Sequence, residues 1–335
     1  MKTMKNQRTF GPATLLAGLV GAWVALAPNV HADYPTAVSD LGPVVYYRFN
    51  DPDPVPTEDA ALNLGSLGEA FNGEYQAMSG SRGVTGAILG DSDKAVAING
   101  AVGQQVVVPF APEANPNGPF TVEIWAQPAN TVAGNRAVAI AMVNGQNPGN
   151  ADDRSGWCLR QSGVDWQVLL GYDYSDGATY YGTTLTAANS VTAGAWQHLV
   201  AVYDGSAISL YINGNLAASV APTLPMLPNT GAPIILGDRG YTGWDFNGLV
   251  DEFALYPTAL SAAVVKAHYD NARNAARPQP YPDLVLQQNP VVYLRLGEGP
   301  LVLPVARNSG SLGATGDGTY FIGTASGAEG LNGGT

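Results

Sequence analysis

Positive charge is scarce in this chain. Lysine and arginine total 15 residues against 27 aspartates and glutamates, which gives a formal net charge of −12. Three basic residues, Lys2, Lys5 and Arg8, fall within 1–32, where there is no acidic residue, so the remainder carries 12 − 27 = −15. Because proteins bind nucleic acid through clustered lysines and arginines, this balance excludes nucleic acid as an expected partner.

Cysteine is almost absent. Cys158 is the only one in the chain, which excludes an intramolecular disulfide. Its neighbours in "GWCLRQ" are mainly apolar, and this context favours a buried, inert thiol over a nucleophile activated by histidine. Stability must therefore come from the size of the core, with a bound metal as the second option.

Long apolar runs are also missing. No stretch beyond the N-terminus reaches the roughly 18 apolar residues of a membrane-spanning helix, so no transmembrane segment is predicted. The apolar stretch at 13–27 is shorter, follows basic residues and precedes Val-His-Ala at 30–32. These features are typical of a secretory signal peptide over 1–32. We therefore expect a secreted or cell-surface protein.

The sequence contains a long internal repeat. "YPTAVSDLGPVVYYRFNDPDP" at 34–54 returns as "YPDLVLQQNPVVYLRLGEGP" at 281–300. In a looser form, "NLGSLGEAFNGEY" at 63–75 returns as "NSGSLGATGDGTY" at 308–320. The period, 281 − 34 = 247 residues, is long enough for a whole domain.

The repeat defines the expected domain organisation. Residues 33–275 form the first copy, and the Pro-rich residues 276–282 form a linker. Residues 283–335 are the N-terminal part of a second, incomplete copy, which is too short and too rich in glycine to close a core alone. The chain is therefore interpreted as part of a longer tandem-domain protein.

Alternation of apolar and polar residues predicts many short strands. Turn residues separate them, as at Asp204-Gly205 and Asn213-Gly214, which accept positive φ at low cost. Short strands without crossover helices indicate an all-β, antiparallel sandwich. The predicted strands are 95–110, 120–128, 136–143, 156–161, 166–173, 196–204, 207–213, 216–222, 233–238 and 248–256.

One short C-terminal helix is expected after Leu260. Ser261 can cap its backbone amides, and Val264, Val265 and His268 are spaced to pack on the sandwich. Within the strand patterns, the following side chains are predicted to lie in the core: Trp125, Trp157, Trp166, Trp196 and His198.

Four motifs resemble a known family in their order and spacing. They are "PFTVEIWAQP", "AWQHLVAVYDGSAISLYINGNLAAS", "PIILGDRG" and "FNGLVDEFALYPTALSAAVV", spread over roughly 40–272. Together they resemble the laminin-G-like, concanavalin A-like jelly-roll domains of secreted bacterial proteins. The resemblance implies two curved antiparallel sheets, recognition of carbohydrate or protein, and frequent binding of Ca²⁺. Because the matched residues belong mainly to the scaffold, they do not identify a ligand.

Enzymes that share this jelly roll provide a test for catalysis. Their retaining glycosidases carry two glutamates and an aspartate at alternating positions of one strand, because the two catalytic carboxyl groups must lie about 5.5 Å apart. The comparable stretch here, 123–127, offers only Glu123. We expect Glu123 to face solvent or a structural partner, and we predict no catalytic residue. An accessory domain of a polysaccharide-degrading enzyme stays as an alternative.

The adjacent carboxylates Asp251 and Glu252 suggest a metal site instead. Neighbouring residues of a regular strand point to opposite faces, so these two cannot form a catalytic pair. In jelly rolls of this type, the strands 44–49 and 248–256 are commonly antiparallel neighbours, which would bring Asp51 close to Asp251. Oxygen atoms gathered there could hold a structural Ca²⁺. Alternatively, Asp251 accepts hydrogen bonds from backbone amides and fastens the domain termini together.

Two loops, 171–182 and 238–248, combine aromatic rings with polar side chains. Aromatic faces can stack on sugar rings while carboxylates and amides bind hydroxyl groups. The sequence therefore predicts a non-catalytic module that binds carbohydrate or a surface protein, with a structural spacer as the alternative. The candidate ligand contacts are Trp244, Tyr241, Tyr172, Tyr174 and Asp238.

Overall fold

The structure of the chain is a computed structural model. It divides into two compact units, residues 1–49 with 306–318 and residues 50–305 with 319–335. Nearly all described residues lie in the second unit, and no described helix is long and apolar enough to cross a membrane. The described residues are 60–77, 82–142, 155–171, 182–222, 226–229, 231–238, 243–298, 305–306, 315 and 318–319.

The described part of the chain is mostly β-structure, with two short α-helices. Helix α1 spans Ala262–Ala272 and helix α2 spans Tyr281–Leu286. The strands β1 to β18 span, in order, Ala60–Ala61, Gly73–Gln76, Arg82–Thr85, Lys94–Asn99, Gln105–Val108, Phe120–Pro128, Asn135–Met142, Gly156–Ser162, Asp165–Gly171, Gly182–Ala187, Gln197–Tyr203, Ile208–Ile212, Asn215–Val220, Ile234–Leu236, Asn247–Tyr256, Val292–Leu294, Val305–Ala306 and Gly318–Thr319.

Sixteen of these strands form two antiparallel sheets. Sheet 1 has the order β1-β2-β5-β14-β7-β8-β9-β10. Sheet 2 has the order β13-β12-β11-β6-β15-β4-β3, and β16 pairs with the C-terminal half of β15. Close turns join the neighbours β8 and β9, and also β11, β12 and β13, as the alternating pattern predicts, whereas β5 and β14 pair over a long separation in the chain. The predicted sandwich of the concanavalin A-like jelly-roll type is confirmed.

Central strand β6 shows how the sequence forms the core. Phe120, Val122 and Ile124 point between the sheets and are at most 1% exposed. The intervening Glu123 and Trp125 lie on the opposite face, which the helices cover, so both faces of this strand are buried. Each large apolar side chain that is buried in this way contributes about 1.5–3 kcal/mol to folding.

Local turn and cap chemistry agrees with the sequence. Asn213 and Gly214 adopt φ values of 53° and 75°, as a tight β-hairpin requires. Asp204 works differently, because its Oδ1 accepts hydrogen bonds from the amides of Ser206 and Ala207, both at 2.7 Å. The Ser261 hydroxyl caps α1 by accepting a 3.3 Å bond from the amide of Val264.

Strand prediction failed where apolar alternation is weak or interrupted. The predicted strand 95–110 divides into β4 and β5 around Gly100 and Gly103, whose φ values are 77° and 81°. Strands β1 to β3 and β10 were not predicted, and β10 has only Leu185 and Ala187 buried. The expectation of a single helix was also wrong, because α2 follows α1.

The sandwich extends beyond its predicted C-terminal boundary at 275. Helix α2 packs on sheet 2 through buried Tyr281 and Val285, and β16 pairs with β15. Residues predicted as a linker and as the start of a second copy therefore complete the first sandwich. Strand β16 holds the place expected for 44–49, which lie outside the described residues. The second copy itself stays a prediction.

Candidate functional site

A β-bulge in β15 creates the first candidate site. The pairing of β15 with β6 shifts by one residue between Asp251 and Ala254, and Glu252 adopts a φ of 52°. Such a bulge changes the direction of the following side chain. The premise that Asp251 and Glu252 point to opposite faces assumed a regular strand, and it does not hold at this bulge. Carboxylate oxygens of Asp93, Asp251 and Glu252, hereafter the acidic cluster, lie within 4.8 Å of one another.

Asp251 is fully buried and only half satisfied. Its Oδ2 accepts a 2.7 Å hydrogen bond from the amide of Ala87. Its Oδ1 has no hydrogen-bond partner among the described residues. The bond to Ala87 is the kind of backbone contact expected for a structural role, whereas the free Oδ1 leaves a position for a cation. One observation therefore supports Asp251 as a structural hydrogen-bond acceptor, and the other supports it as a metal ligand.

Glu252 is held by two residues from the downstream repeat. Tyr293 Oη donates to Glu252 Oε2, and Arg295 donates to Oε1 through Nε at 3.0 Å and Nη2 at 2.8 Å. Arg295 Nη2 also forms an ion pair at 2.8 Å with Asp93 Oδ2, at an angle that makes no hydrogen bond. The guanidinium of Arg295 thus forms ion pairs with more than one carboxylate.

Burial makes the acidic cluster costly to ionise. Burial, followed by the charge of Glu252, raises the pKa of Asp251 well above its ordinary range. Burial also raises the pKa of Glu252 to about 7, although Arg295 opposes the shift. The pKa of Asp93 is raised by burial as well. With Asp91, whose Oδ2 lies 3.4 Å from Arg295 Nη2, four carboxylates surround one guanidinium. If all four were ionised, they would exceed it by three negative charges, which protons or a cation would neutralise.

Asp93 is the member of the acidic cluster that borders a cavity. A cavity of about 240 Å³ opens beside Asp93 and is lined by Leu62, Leu64, Arg295, Gly297 and Glu298. A Cβ atom at Gly297 would overlap Asp93 Oδ1, so a larger residue there would displace the Asp93 side chain. Asp51, predicted as the second metal ligand, lies outside the described residues.

A second polar cluster lies between sheet 2 and the helices. Glu123 Oε1 is 2.7 Å from His198 Nε2 and accepts a 2.9 Å bond from Tyr281 Oη. Glu123 Oε2 accepts a 2.6 Å bond from Tyr256 Oη and lies 3.0 Å from His268 Nδ1. Glu123 is 1% exposed. It therefore faces a structural partner, and the alternative that it faces solvent is wrong.

Charge explains why this buried carboxylate stays ionised. Burial alone would raise the pKa of Glu123, but His268 and His198 outweigh it and hold that pKa well below the ordinary range. Burial would likewise lower the pKa of His268, yet the Glu123 carboxylate raises it. His198 is a buried core histidine, as predicted. Sequence reasoning missed this network because its members come from five separate elements.

The third candidate is an aromatic surface on the outer face of sheet 1. Trp244 is half-buried, and its carbonyl accepts a 2.8 Å bond from the amide of Ala137. The guanidinium carbon of Arg160 lies 4.8 Å from the centroid of the Trp244 ring. The apolar residues beneath this ring are Ala137, Ile140, Met142, Cys158 and Leu169. Trp244 is thus a supported ring that retains an exposed portion.

Of the other predicted ligand contacts, one is buried and three lie outside the described residues. Asp238 is 1% exposed, and its Oδ2 accepts a 3.0 Å bond from the amide of Gly103. This burial argues against the ligand contact predicted for it. The remaining candidates stay predictions because they lie outside the described residues: Tyr172, Tyr174 and Tyr241.

One family model matches this chain. The family model of the concanavalin A-like lectin/glucanases superfamily matches residues 99–266, half of the chain. No protein of curated function matches the sequence. Among solved structures, the binding domain of Paraclostridial Mosquitocidal Protein 1 is 17% identical, with a TM-score of 0.48. The match covers 64% of this chain and 52% of that domain, so this chain spans about half its length.

Two further solved structures match with lower TM-scores. Domain 4 of AbnA, an extracellular arabinanase from Geobacillus stearothermophilus in complex with arabinotriose, is 20% identical, with a TM-score of 0.36. That match covers 52% of this chain and 75% of the domain. The sialidase CBM40 of Ruminococcus gnavus, bound to α2,3 sialyllactose, is 15% identical, with a TM-score of 0.39, and covers 52% and 95%.

Proposed function

Because the chain belongs to the concanavalin A-like lectin/glucanase superfamily, we propose that it is a secreted or cell-surface glycan-binding module without catalytic activity. The observation that carries this proposal is the placement of Trp244. Its half-buried ring packs on the apolar outer face of sheet 1 and stacks against Arg160. A fixed aromatic ring with a guanidinium over one face offers apolar contact area for a sugar at its exposed portion and donors nearby for the hydroxyl groups.

The proposal excludes catalysis because the available carboxylates are inaccessible. Glu123, the only carboxylate of the strand that carries catalytic residues in related enzymes, accepts bonds on both oxygens beneath the helices. Asp251 and Glu252 are at most 1% exposed. A glycosidase needs two carboxyl groups on opposite sides of a substrate bond. Neither cluster offers such a cleft in the part of the chain that the structure describes.

The acidic cluster fits a structural Ca²⁺, which the family implies. Asp251 Oδ1 is buried without a hydrogen-bond partner among the described residues, and the oxygens of Asp93 and Glu252 lie within 4.8 Å of it. Ca²⁺ accepts six to eight oxygen ligands, so carbonyl groups and water would complete the set. When bound, the ion would neutralise the surplus carboxylate charge. Asp93 and Asp251 would hold it, while Arg295 retains Glu252.

Secretion is part of the proposal and rests on the N-terminal sequence. Lys2, Lys5 and Arg8 precede an apolar stretch and a small-residue site that ends at Ala32. This arrangement is the one that signal peptidases recognise. Export to the cell surface would bring the module to the polysaccharides that the superfamily name suggests as ligands.

A glycan array tests the proposed function directly. The purified full-length chain is applied with millimolar CaCl₂ in one arm and with EDTA in the other, and folding is verified by circular dichroism. We expect saturable binding to one class of glycan, weakened by EDTA. No binding in either arm by the folded protein would contradict glycan recognition and favour protein adhesion or a spacer. Release of reducing sugar from a bound polysaccharide would contradict the absence of catalysis.

A further inference from the structure

The place that β16 occupies is a built receptor for an extended segment. On one side, Leu255 O accepts a 2.9 Å bond from the amide of Val291. On the other side, the amide of Leu64 donates a 2.9 Å bond to Tyr293 O, and Asn63 Oδ1 accepts a 2.9 Å bond from the amide of Tyr293. Strand β16 therefore lies between β15 and residues 63–67, and we call this receptor the β16 slot.

The slot continues beyond the strand at both ends. On the N-terminal side of β16, Tyr281 of α2 is fully buried. Its Oη donates a hydrogen bond to Glu123 Oε1 and accepts one from Trp125 Nε1, so α2 packs against this part of β6. After β16, Arg295 binds Glu252, and Glu298 Oε1 accepts a 2.9 Å bond from the amide of Leu62. Residues 281–298 thus act as one continuous insert that touches the sandwich along its whole length.

A second segment of the chain carries the same contact residues. The repeat aligns 34–51 with 281–298 without a gap. Eight residues of 281–298 are buried, and six of them are identical in 34–51. All four of the exposed positions differ, namely Asp283, Leu286, Gln287 and Asn289. The six identical pairs are Tyr281 with Tyr34, Val285 with Val38, Pro290 with Pro43, Val291 with Val44, Val292 with Val45 and Tyr293 with Tyr46.

The polar contacts are repeated as well. Arg295 corresponds to Arg48, and Glu298 corresponds to Asp51, which keeps the carboxylate. Most of the buried positions are identical and the exposed positions differ, which is the pattern expected of two inserts that fit the same kind of receptor. The repeat therefore preserves the contacts of the slot and not the sequence as a whole.

Two buried positions explain why one insert has an advantage. Leu294 and Leu296 are both 0% exposed, and the aligned residues are the larger Tyr47 and Phe49. Next to Leu294, a Cβ on Gly73 would already approach Leu294 Cδ1 to 3.3 Å, so the space there is tight. Larger rings in a packed site are destabilising unless neighbouring groups move. This difference favours 281–298 but does not forbid 34–51.

We propose that the β16 slot accepts residues 34–51 of the same chain in place of residues 281–298. Only residues 52–59 separate Asp51 from Ala60 in β1, so the segment is tethered near the slot at an effective concentration in the millimolar range. One sandwich then has two competing inserts. The insert that is displaced presents a free strand that can add to another copy of the slot.

Disulfide trapping in the full-length chain tests the exchange. Leu255 and Val292 are Cα partners across β15 and β16, a pairing whose spacing suits a disulfide. Three double variants are compared: Leu255→Cys with Val292→Cys, Leu255→Cys with Val45→Cys, and Leu255→Cys with Thr36→Cys as the control that aligns with exposed Asp283. Cys158 is buried and is left in place. Cross-links are counted by peptide mapping after mild oxidation.

We expect a high yield from the Val292 pair, at least roughly a tenth of that yield from the Val45 pair, and background from the Thr36 pair. Adding Tyr293→Ala weakens the resident insert, so it should raise the Val45 yield about tenfold, whereas Tyr46→Ala should abolish it. A Val45 yield equal to the Thr36 background, with a normal Val292 yield, would overturn the proposal. Because no glycan enters this experiment, its outcome is independent of the proposed function.

Discussion

His268 Nδ1 lies 3.0 Å from Glu123 Oε2, which joins helix α1 to the central strand β6 across a buried interface. Both side chains are at most 1% exposed. An ion pair without water must be satisfied on all sides to be tolerated. Tyr256 and Tyr281 supply the remaining donors to the carboxylate, and this makes the cluster sensitive to single changes.

Glu123→Gln should destabilise the fold by about 3–5 kcal/mol, the usual cost of leaving one member of a buried ion pair without its partner. The amide has the same shape as the carboxylate, so the loss reports charge and hydrogen bonding and not packing. Urea unfolding followed by tryptophan fluorescence measures it. The matched control is Glu74→Gln, at the exposed position of β2, which should change stability by less than about 0.5 kcal/mol. A midpoint for Glu123→Gln equal to that control would contradict the ion pair.

The same pair predicts how stability depends on pH. The folded pKa of Glu123 is lowered below 4.5, so its contribution is present above pH 4.5 and is lost as the pH falls through the folded value. The folded pKa of His268 is raised above 6.5, so its contribution is complete below pH 6.5 and is lost as the pH rises through the folded value. The difference in stability between wild type and Glu123→Gln should therefore be largest between about pH 4.5 and 6.5. A difference that stays constant from pH 3 to pH 9 would speak against both shifts.

Calcium should stabilise the folded chain through Asp251. We expect millimolar Ca²⁺ to raise the melting temperature by roughly 5 °C, because an ion at about 100 times its Kd adds about 2.7 kcal/mol. Asp251→Asn retains an oxygen for the amide of Ala87 but removes the charge, so its melting temperature should not respond to Ca²⁺. Asp270→Asn, which changes an exposed aspartate paired with Lys266, should respond like wild type. An unchanged response in Asp251→Asn would place the ion elsewhere.

Trp244→Ala should weaken binding to the glycan selected on the array at least about tenfold, the loss expected when a stacking ring is removed. Because Trp244 is half-buried at the surface of sheet 1, the melting temperature should fall by only a few degrees. Isothermal titration calorimetry provides the affinity. Leu216→Ala, which removes a side chain that is 57% exposed on sheet 2, is the control and should leave affinity unchanged. Equal affinities for the two variants would remove Trp244 from the site.

Gly156→Ala should be among the most damaging small substitutions. Gly156 has a φ of 108°, and a Cβ there would overlap the carbonyl oxygen of Ala141 in the neighbouring strand. Because backbone must move, we expect a loss of about 3 kcal/mol or more. Gly103→Ala isolates the conformational part, since φ is 81° and nothing lies within 4 Å of a Cβ, so about 1 kcal/mol is expected. Chemical denaturation measures the loss of stability in each variant. A larger loss in Gly156→Ala than in Gly103→Ala measures the part due to overlap with Ala141, and equal losses would leave only the strain of the positive φ.

Sequence reasoning succeeded where a signal is local. The alternation at 120–128 predicted β6 with the bounds that the structure shows, and Ser261 predicted the start of α1. The bulge at Glu252 could not be predicted, because a bulge is defined by the register of a partner strand. The partners of Glu123 were missed for the same reason, since His198 and His268 reach it only after strands and helix have packed.

The acidic cluster was predicted in part. Asp251 was identified as a candidate ligand, and the structure adds Asp93, which approaches from a separate loop. The internal repeat was visible in the sequence, but the sequence did not show that a strand of its second copy pairs with β15. Which of two similar segments enters a sheet depends on small differences in fit, such as Leu294 against Tyr47, and no pattern of periodicity records such differences.

The pairing of β16 with β15 has a practical consequence for anyone who expresses this protein. A recombinant fragment cut at residue 275, the boundary that the repeat suggests, would lack the strand that satisfies the backbone of β15 at Leu255. It would also uncover the apolar groove that receives Tyr281 and Val285. Open sheet edges beside apolar surface promote aggregation. Fragments intended for binding assays should therefore include residue 298.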